Sequence, residues 1–357
     1  MEYLFDDVLE IKNGKNQKAV ENPDGQYPIY GSGGVMGYVD DYICDADTVI
    51  IGRKGSINNP IYVAEPFWNV DTAFGLSAKK EHLLPRYLFY FCKKFDFEKL
   101  NKTVTIPSLT KSDLLKIKID LPSKEEQQYV VNKLTKIEKV IDFRRQELSA
   151  LDNLIKARFV ELFVGKDYPL VALDDLSLEK GEYGAQSASI EYDPNRPRYV
   201  RITDINDDGT LNDDVVSSEN IEDDEQYKLS YGDFMFARMG ATVGKTYAYK
   251  TGNQIFAGYL IRYRLNLEKI MPEYLYVYTK LEEYKNWVVL NQSGAAQPGI
   301  NAKKYGSLMI PVAPLEEQRA FADFVKQVDK SKFKEKVCYI RLRILKRKHH
   351  QLLLLKK

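Results

Sequence analysis

Two short loops carry the residue types best suited to hold a nucleic acid. Arg53-Lys54-Gly55-Ser56, with Asn58 just beyond, follows an apolar stretch. Arg238-Met239-Gly240-Ala241-Thr242-Val243-Gly244-Lys245 occupies the equivalent place later in the chain. Each offers Arg, Lys, a small hydroxyl residue and backbone amides on a glycine-bearing loop. Arginine can bond guanine through two N–H groups, while lysine and backbone amides hold phosphates. The DNA-binding candidates are therefore Arg53, Lys54, Ser56, Asn58, Arg238, Thr242 and Lys245. Gln297, in a later Pro-bearing stretch, joins them. The competing reading is that the glycines shape a turn and the arginines pack or pair locally.

Other chemistry finds no support in the residue patterns. Gly244-Lys245-Thr246 resembles the end of a P-loop, but the required earlier glycine is Met239. Tyr247-Ala248-Tyr249 then reads as a strand, where a phosphate-holding helix is needed. Asn59-Pro60-Ile61-Tyr62 resembles the tetrapeptide of amino-methyltransferases with one proline missing, and no Gly-rich strand–turn–helix precedes it. Gly31-Ser32-Gly33-Gly34 lacks the order of a nucleophile elbow. Asp6-Asp7 and Asp174-Asp175 stand before apolar residues and read as helix-cap or turn residues. Cys44, Cys92 and Cys338 form no ligand spacing with His82, His349 and His350. No catalytic residue and no metal ligand is assigned.

The elements that must position the two loops are repeated. Pro107 and Glu125-Glu126-Gln127 recur as Pro298 and Glu316-Glu317-Gln318, both at an offset of 191 residues. A shared offset across two motifs marks a duplicated domain. Tyr87-Leu88-Phe89-Tyr90 after Pro85 answers Tyr274-Leu275-Tyr276-Val277 after Pro272. Thr48–Gly55 answers Phe234–Gly240, and Leu4–Val8 answers Ala172–Leu176. Strands are expected around 47–52, 60–64, 198–203, 233–238, 245–249 and 255–265, with helices over 85–100 and 272–288. Turn signals such as Asp24-Gly25, Asp208-Gly209 and Gly252-Asn253 separate them.

Each module is followed by a long helix. Residues 123–163 contain no Gly or Pro, and Ser123 with Glu126 forms a capping box after Pro122. Leu134, Ile141, Leu148, Ile155 and Leu162 fall on a seven-residue repeat, the stripe of a coiled coil. A buried core helix is the alternative. The second helix, 315–357, has a less regular stripe that includes Phe321, Val325, Val328, Phe333, Val337, Ile340 and Ile344. At about 1.5 Å per residue each helix spans roughly 60 Å. Two such helices can pair antiparallel.

The chain has 357 residues, enough for about two domains. With 52 basic and 51 acidic side chains it has no global charge preference. The distribution is uneven. Thr203–Glu225 holds ten acids and no base, and is expected to be a solvated loop turned away from any polyanion. Arg319–Lys357 holds thirteen bases and three acids, and suits a solvated face, a partner contact or a phosphate contact, in that order. The 25 tyrosines fit either β-rich modules or a polar binding surface. No apolar run approaches a membrane span, the first residues lack a cationic leader, and the cysteines suit a reducing compartment. A cytoplasmic protein is expected.

Two modules alternating with two Glu-Glu-Gln helices resemble the specificity (S) subunit of type I restriction-modification systems, over essentially the whole chain. The resemblance implies an α+β (mixed α/β) fold: two similar target-recognition modules separated by long antiparallel coiled-coil helices, in a pseudo-twofold repeat. It implies target-recognition domains at 1–122 and 166–313 and helical spacers at 123–165 and 314–357. Each module would read one half of a bipartite, asymmetric double-stranded DNA site. The spacers would set the gap and dock two modification (methyltransferase) subunits, with Leu134, Ile141, Leu148, Ile155, Leu162, Val325 and Val328 as the partner or spacer-helix residues. S-adenosylmethionine and ATP with Mg would belong to the modification and restriction subunits, and this chain would bind no cofactor. The poorer second stripe departs from the pattern. Half-sites on one face of B-DNA lie roughly 34 Å apart, within reach of such helices. Near-neutral charge predicts weak DNA binding by the isolated chain. A fragment of a fused adenine-specific methyltransferase and a coiled-coil interaction scaffold are the alternatives. Methyl-donor binding by the lone chain and a gel shift with the assembled complex separate them.

Overall fold

The run without Gly or Pro after Pro122 forms one helix, Lys124–Phe163, in a computed structural model that describes residues 1–103, 106–294 and 298–353. Ser123 Oγ accepts from the Glu126 N–H, and the Glu126 carboxylate accepts from the Ser123 N–H, both at 3.3 Å. This reciprocal cap sets the helix start where the sequence places it. The second long helix is Leu315–Leu353. The chain divides into two units: Met1–Gln146 with the chain from Lys336 onward, and Glu147–Glu335. Each unit takes part of both helices and pairs them antiparallel. Lys346 meets Glu138 at 2.6 Å in the first unit, and Lys332 pairs with Asp152 in the second.

The duplication recurs in three sheets. The first unit has a four-stranded antiparallel sheet in the order Leu9–Asn13, Ala73–Ala78, Thr48–Gly52, Ile61–Val63. The second repeats that order with Glu182–Tyr183, Leu260–Arg264, Asp233–Ala237 and Thr246–Ala248. A two-stranded sheet closes each module onto its helix. It sets Tyr3 opposite Ile119 in one and Val171 opposite Ile310 in the other. A parallel pair follows the same rule: Tyr27–Gly31 with Trp68–Asn69, and Arg198–Val200 with Gln254–Phe256.

Several expected elements are broken. The single strand expected over 255–265 is two, separated by Ala257–Tyr259. The helix expected over 272–288 is Pro272–Tyr278 and Glu282–Asn291. The helix expected over 85–100 ends at Lys94, and a short 3₁₀ turn follows over Phe97–Leu100. The acid-rich stretch 203–225 is not a solvated loop. It holds strand Val216–Ser218 and helix Asp223–Gln226, and buries Asp204, Ser217, Ser218 and Asp223. Burial is tolerated because the polar groups are paired. Asp204 accepts from Arg201, and Ser218 hydrogen-bonds Asp223.

Many tyrosines serve the core, with hydroxyls that satisfy buried carbonyls. Tyr305 Oη donates to the Ala237 carbonyl at 2.9 Å and Tyr284 Oη to that of Gly244 at 2.9 Å. These bonds fix both ends of the 238–243 loop.

The second unit also buries a charge cluster. Arg262, 6% exposed, lies 3.6 Å from fully buried Asp233 and pairs with Glu182. Asp233 also accepts from Arg264 at 3.2 Å and from the Ser230 N–H at 2.8 Å. Arg262→Met removes one partner of a buried pair, and a loss of about 3 kcal/mol is expected. Denaturant unfolding of the second unit measures it. Adding Asp233→Asn should recover part of the loss, since the two effects are coupled.

Candidate nucleic-acid interface

Each arginine loop leaves the equivalent strand of its module's four-stranded sheet, Thr48–Gly52 or Asp233–Ala237, and meets equivalent backbone. The Arg53 N–H donates to the Thr72 carbonyl (2.8 Å), the Leu109 N–H to the Arg53 carbonyl (2.9 Å), and the Gly55 N–H to the Pro107 carbonyl (3.0 Å). In the second module the Arg238 N–H donates to Tyr259 (3.0 Å), Ile300 N–H to Arg238 (2.9 Å), and Gly240 N–H to Pro298 (2.9 Å). Two motifs that are separate in sequence, the arginine loop and the proline stretch, thus form one surface in each module. Gly55 and Gly240 have φ of +77° and +67°. A Cβ there would meet nothing within 4 Å. The backbone conformation, not crowding, calls for glycine.

The side chains then separate into two groups. Arg53, Lys54 and Ser56 are exposed, and the Arg53 guanidinium lies over the Phe74 ring at 5.7 Å. Arg238 lies over Tyr183 at 4.7 Å, with one N–H toward the Gly258 carbonyl at 3.5 Å. The other candidates have local partners. Asn58 Oδ1 accepts from the Phe97 N–H at 2.7 Å and its amide donates to Asp96, so it holds the 3₁₀ turn. Thr242 Oγ1 donates to the Met239 carbonyl at 3.0 Å and closes its own turn. Lys245 pairs with Asp207 at 2.7 Å. Gln297 lies outside the described residues.

Asp207, the partner of Lys245, belongs to the acidic segment 203–225. Its tip is fastened beside the loop. Tyr276 Oη donates to the Asp208 carbonyl, and Lys280 Nζ to that of Asp207 at 3.2 Å. Burial pulls the Lys280 ammonium down to about 8, and the hydrogen bond from Lys245 holds the Asp207 carboxyl below its ordinary range. Lys245 therefore has a carboxylate partner within its own module.

The motifs resembling catalytic ones are also accounted for. Tyr62 of Asn-Pro-Ile-Tyr hydrogen-bonds Asp47 and carries Arg86 over its ring at 4.3 Å. Lys245 leads into strand Thr246–Ala248, as the sequence predicts.

The Glu-Glu-Gln motif has a role that sequence reasoning missed. Gln127 is fully buried. Its Oε1 accepts from the Leu84 N–H at the start of helix Pro85–Lys94 (2.9 Å), and its Nε2 donates to the His82 (2.9 Å) and Pro122 (3.1 Å) carbonyls. Gln318 repeats this with the Met271 N–H (2.9 Å) and the Lys269 (3.2 Å) and Ala313 (2.7 Å) carbonyls. Each glutamine clamps a long helix to its module through three bonds. Gln318→Glu keeps the acceptor but removes both donations, and sets a carboxylate against two carbonyls. A loss of about 3 kcal/mol is expected for that buried site, against about 1–3 for Gln318→Ala. Thermal unfolding of the two variants ranks them.

The expected spacer stripe is corrected in part. Leu134 is buried in the first module's core, and Ile155, Val325 and Val328 in the second's. Each packs within its own module. Ile141, Leu148 and Leu162 are half-buried. Large apolar side chains remain exposed both off the first stripe, at Phe143 (63%), and on the second, at Phe333 (70%), Ile340 and Ile344. Heptad spacing finds any apolar face, and here much of it is claimed by the modules.

Comparison with known proteins gives a consistent result. Residues 2–153 and 166–337 match the family model described as the type I restriction modification DNA specificity domain. The chain is 24% identical over 313 residues to the MjaVIII type I restriction enzyme specificity subunit of Methanocaldococcus jannaschii, covering 80% of this chain and 70% of that protein. It is 23% identical over 347 residues to a Haemophilus influenzae protein named as a type I restriction enzyme specificity subunit, covering 91% and 86%. Its fold is similar to that of the type I restriction-modification S subunit from M. genitalium. The TM-score is 0.66 at 16% identity, with 100% of this chain and 96% of that one covered. A chain from a structure describing complex assembly and conformational transition of the type I system gives a TM-score of 0.56 at 16% identity, covering 99% and 97%.

Proposed function

The chain belongs to the family of type I restriction-modification specificity subunits, and on that premise we propose that each of its modules reads one half of a bipartite DNA site. The observation that carries this reading is the duplicated surface. Arg53 with Pro107-Ser108 and Arg238 with Pro298-Gly299 stand on the same hydrogen-bonded frame, but present different neighbours. One scaffold used twice with different side chains suits two unlike half-sites.

The long helices set the gap and dock the modification subunits, with exposed apolar residues such as Phe143 and Phe333 as contact points. The chain recognises DNA and leaves chemistry to its partners, which hold S-adenosylmethionine and, on the restriction subunit, ATP with Mg. No described helix is long and apolar enough to cross a membrane, and the protein works in the cytoplasm. The near balance of 52 bases and 51 acids supports weak binding by the lone chain, with partner subunits adding phosphate contacts.

The test is binding by the chain reconstituted with its modification subunits. Scrambling either half of the cognate duplex should bring affinity down toward the non-specific level, which lies about 10³-fold or more below specific binding. Equal affinity for the cognate and fully scrambled duplexes would overturn the reading.

A further inference from the structure

We propose that in each module the loop arginine holds the DNA backbone without regard to sequence, and that base discrimination rests on three side chains set around it. These are Asn16, Lys54 and Thr72 in the first module and Gln186, Met239 and Tyr259 in the second. The proposal rests on the half-site reading above and assigns the division of labour within it.

The backbone fixes which residues correspond. Gly52 pairs with Ala73 and Ala237 with Leu260, so Thr72 answers Tyr259 and Arg53 answers Arg238. The Lys15 N–H donates to the Asn69 carbonyl at 2.8 Å, and the Ala185 N–H to that of Phe256 at 3.0 Å. Gly14 and Gly184 both press against that same strand end. Asn16 therefore answers Gln186. Lys54 and Met239 both bridge to the proline stretch, at Ser108 and Gly299.

On this common frame the arginine stays and its surroundings change. Both guanidinium groups lie over an aromatic ring, but the ring comes from opposite members of one cross-strand pair. Asn13 faces Phe74 in the first module, and Tyr183 faces Ile261 in the second. The ring under Arg53 is Phe74 and that under Arg238 is Tyr183. Stacking is thus retained although the residue supplying it has moved. A side chain held alike by two modules with unlike targets supplies what both need. A phosphate contact is what every half-site offers.

The three varying positions carry the chemistry of base edges. Asn and Gln can bond adenine through two contacts, Lys can bond guanine, and Thr, Met and Tyr can approach a thymine methyl group. All but half-buried Met239 are exposed. They vary together with their surroundings. The Gln186 amide lies over Gly258, where a Cβ would come within 2.1 Å of its Nε2. In the first module the shorter Asn16 accompanies Asp71 at the position of Gly258.

The experiment uses the chain reconstituted with its modification subunits. Binding is measured on the cognate duplex and on single-substitution duplexes at several salt concentrations, and methylated positions are mapped. Arg238→Ala should weaken binding evenly across sequences and lower the salt slope by about one. Arg238→Lys should restore most of the affinity with the motif unchanged. Gln186→Asn with Met239→Lys and Tyr259→Thr should cut discrimination about ten-fold or more at a position in the second half-site, with the first half-site untouched. Relaxation of a single base by Arg238→Ala, or intact discrimination in the triple variant when it still assembles, overturns the assignment. A wild-type complex that shows no bipartite preference would fail the half-site reading itself, which keeps the two outcomes apart.

Discussion

Exchanging the second module for that of another specificity subunit should rewrite one half of the methylated sequence and leave the other half and the gap unchanged. Each module carries its own sheets and its own core, so the surface read by one does not depend on the folding of the other. The structure also says where to cut. The second module's core takes Ile155, Phe159 and Phe163 from the first long helix and Phe321, Val325 and Val328 from the second. A graft of 166–313 alone sets foreign residues against these six. Mismatched core contacts cost about 1–3 kcal/mol for overpacking and more for cavities. A graft of 147–335 brings the contacts with it. The second graft should therefore fold and methylate a hybrid site, and the first should do so less well at raised temperature. Mapping methylated adenines in cells carrying each chimera checks both statements. Changes in both halves of the site would contradict modular reading.

Leu148→Pro should abolish assembly with the modification subunits. Leu148 lies well inside Lys124–Phe163, far from either cap. Proline there removes a backbone hydrogen bond and clashes with the preceding turn, costing about 3 kcal/mol or more and kinking or breaking the helix. Leu148→Ala keeps the helix and removes only a half-buried side chain, so it should assemble. Co-purification of tagged variants with the modification subunit separates the two. Normal recovery of the proline variant would contradict a spacer that works as a continuous rod.

Much of this architecture is legible because a long helix and a duplication leave strong patterns. Forty residues without Gly or Pro, opened by Ser123 and Glu126, admit one reading, and the structure gives Lys124–Phe163. The short strands were harder. Leu9–Asn13, Tyr27–Gly31, Gly34–Val39 and Ala73–Ala78 carry glycine, lysine or proline within five or six residues, so local composition does not announce them. Their pairing across the module creates them. The break at Ala257–Tyr259 has a similar origin, because Gly258 passes under the Gln186 side chain.

At the interface, arginine and glycine on a loop after a strand were readable as such. What the other candidates touch was not. Lys245 meets Asp207, Asn58 meets Phe97, and Gln127 meets Leu84, all across distances that no local pattern spans. The heptad could not tell Leu134, buried in a module, from Leu148, half-buried along the helix, because both answer to the same spacing.

The most direct test of the account is a map of methylated adenines in a host with and without this gene, the modification subunits being present in both. Methylation is expected at a sequence of two unlike half-sites separated by a fixed gap, and is lost completely when the gene is absent. An unchanged methylation pattern, or a single undivided motif, would contradict it.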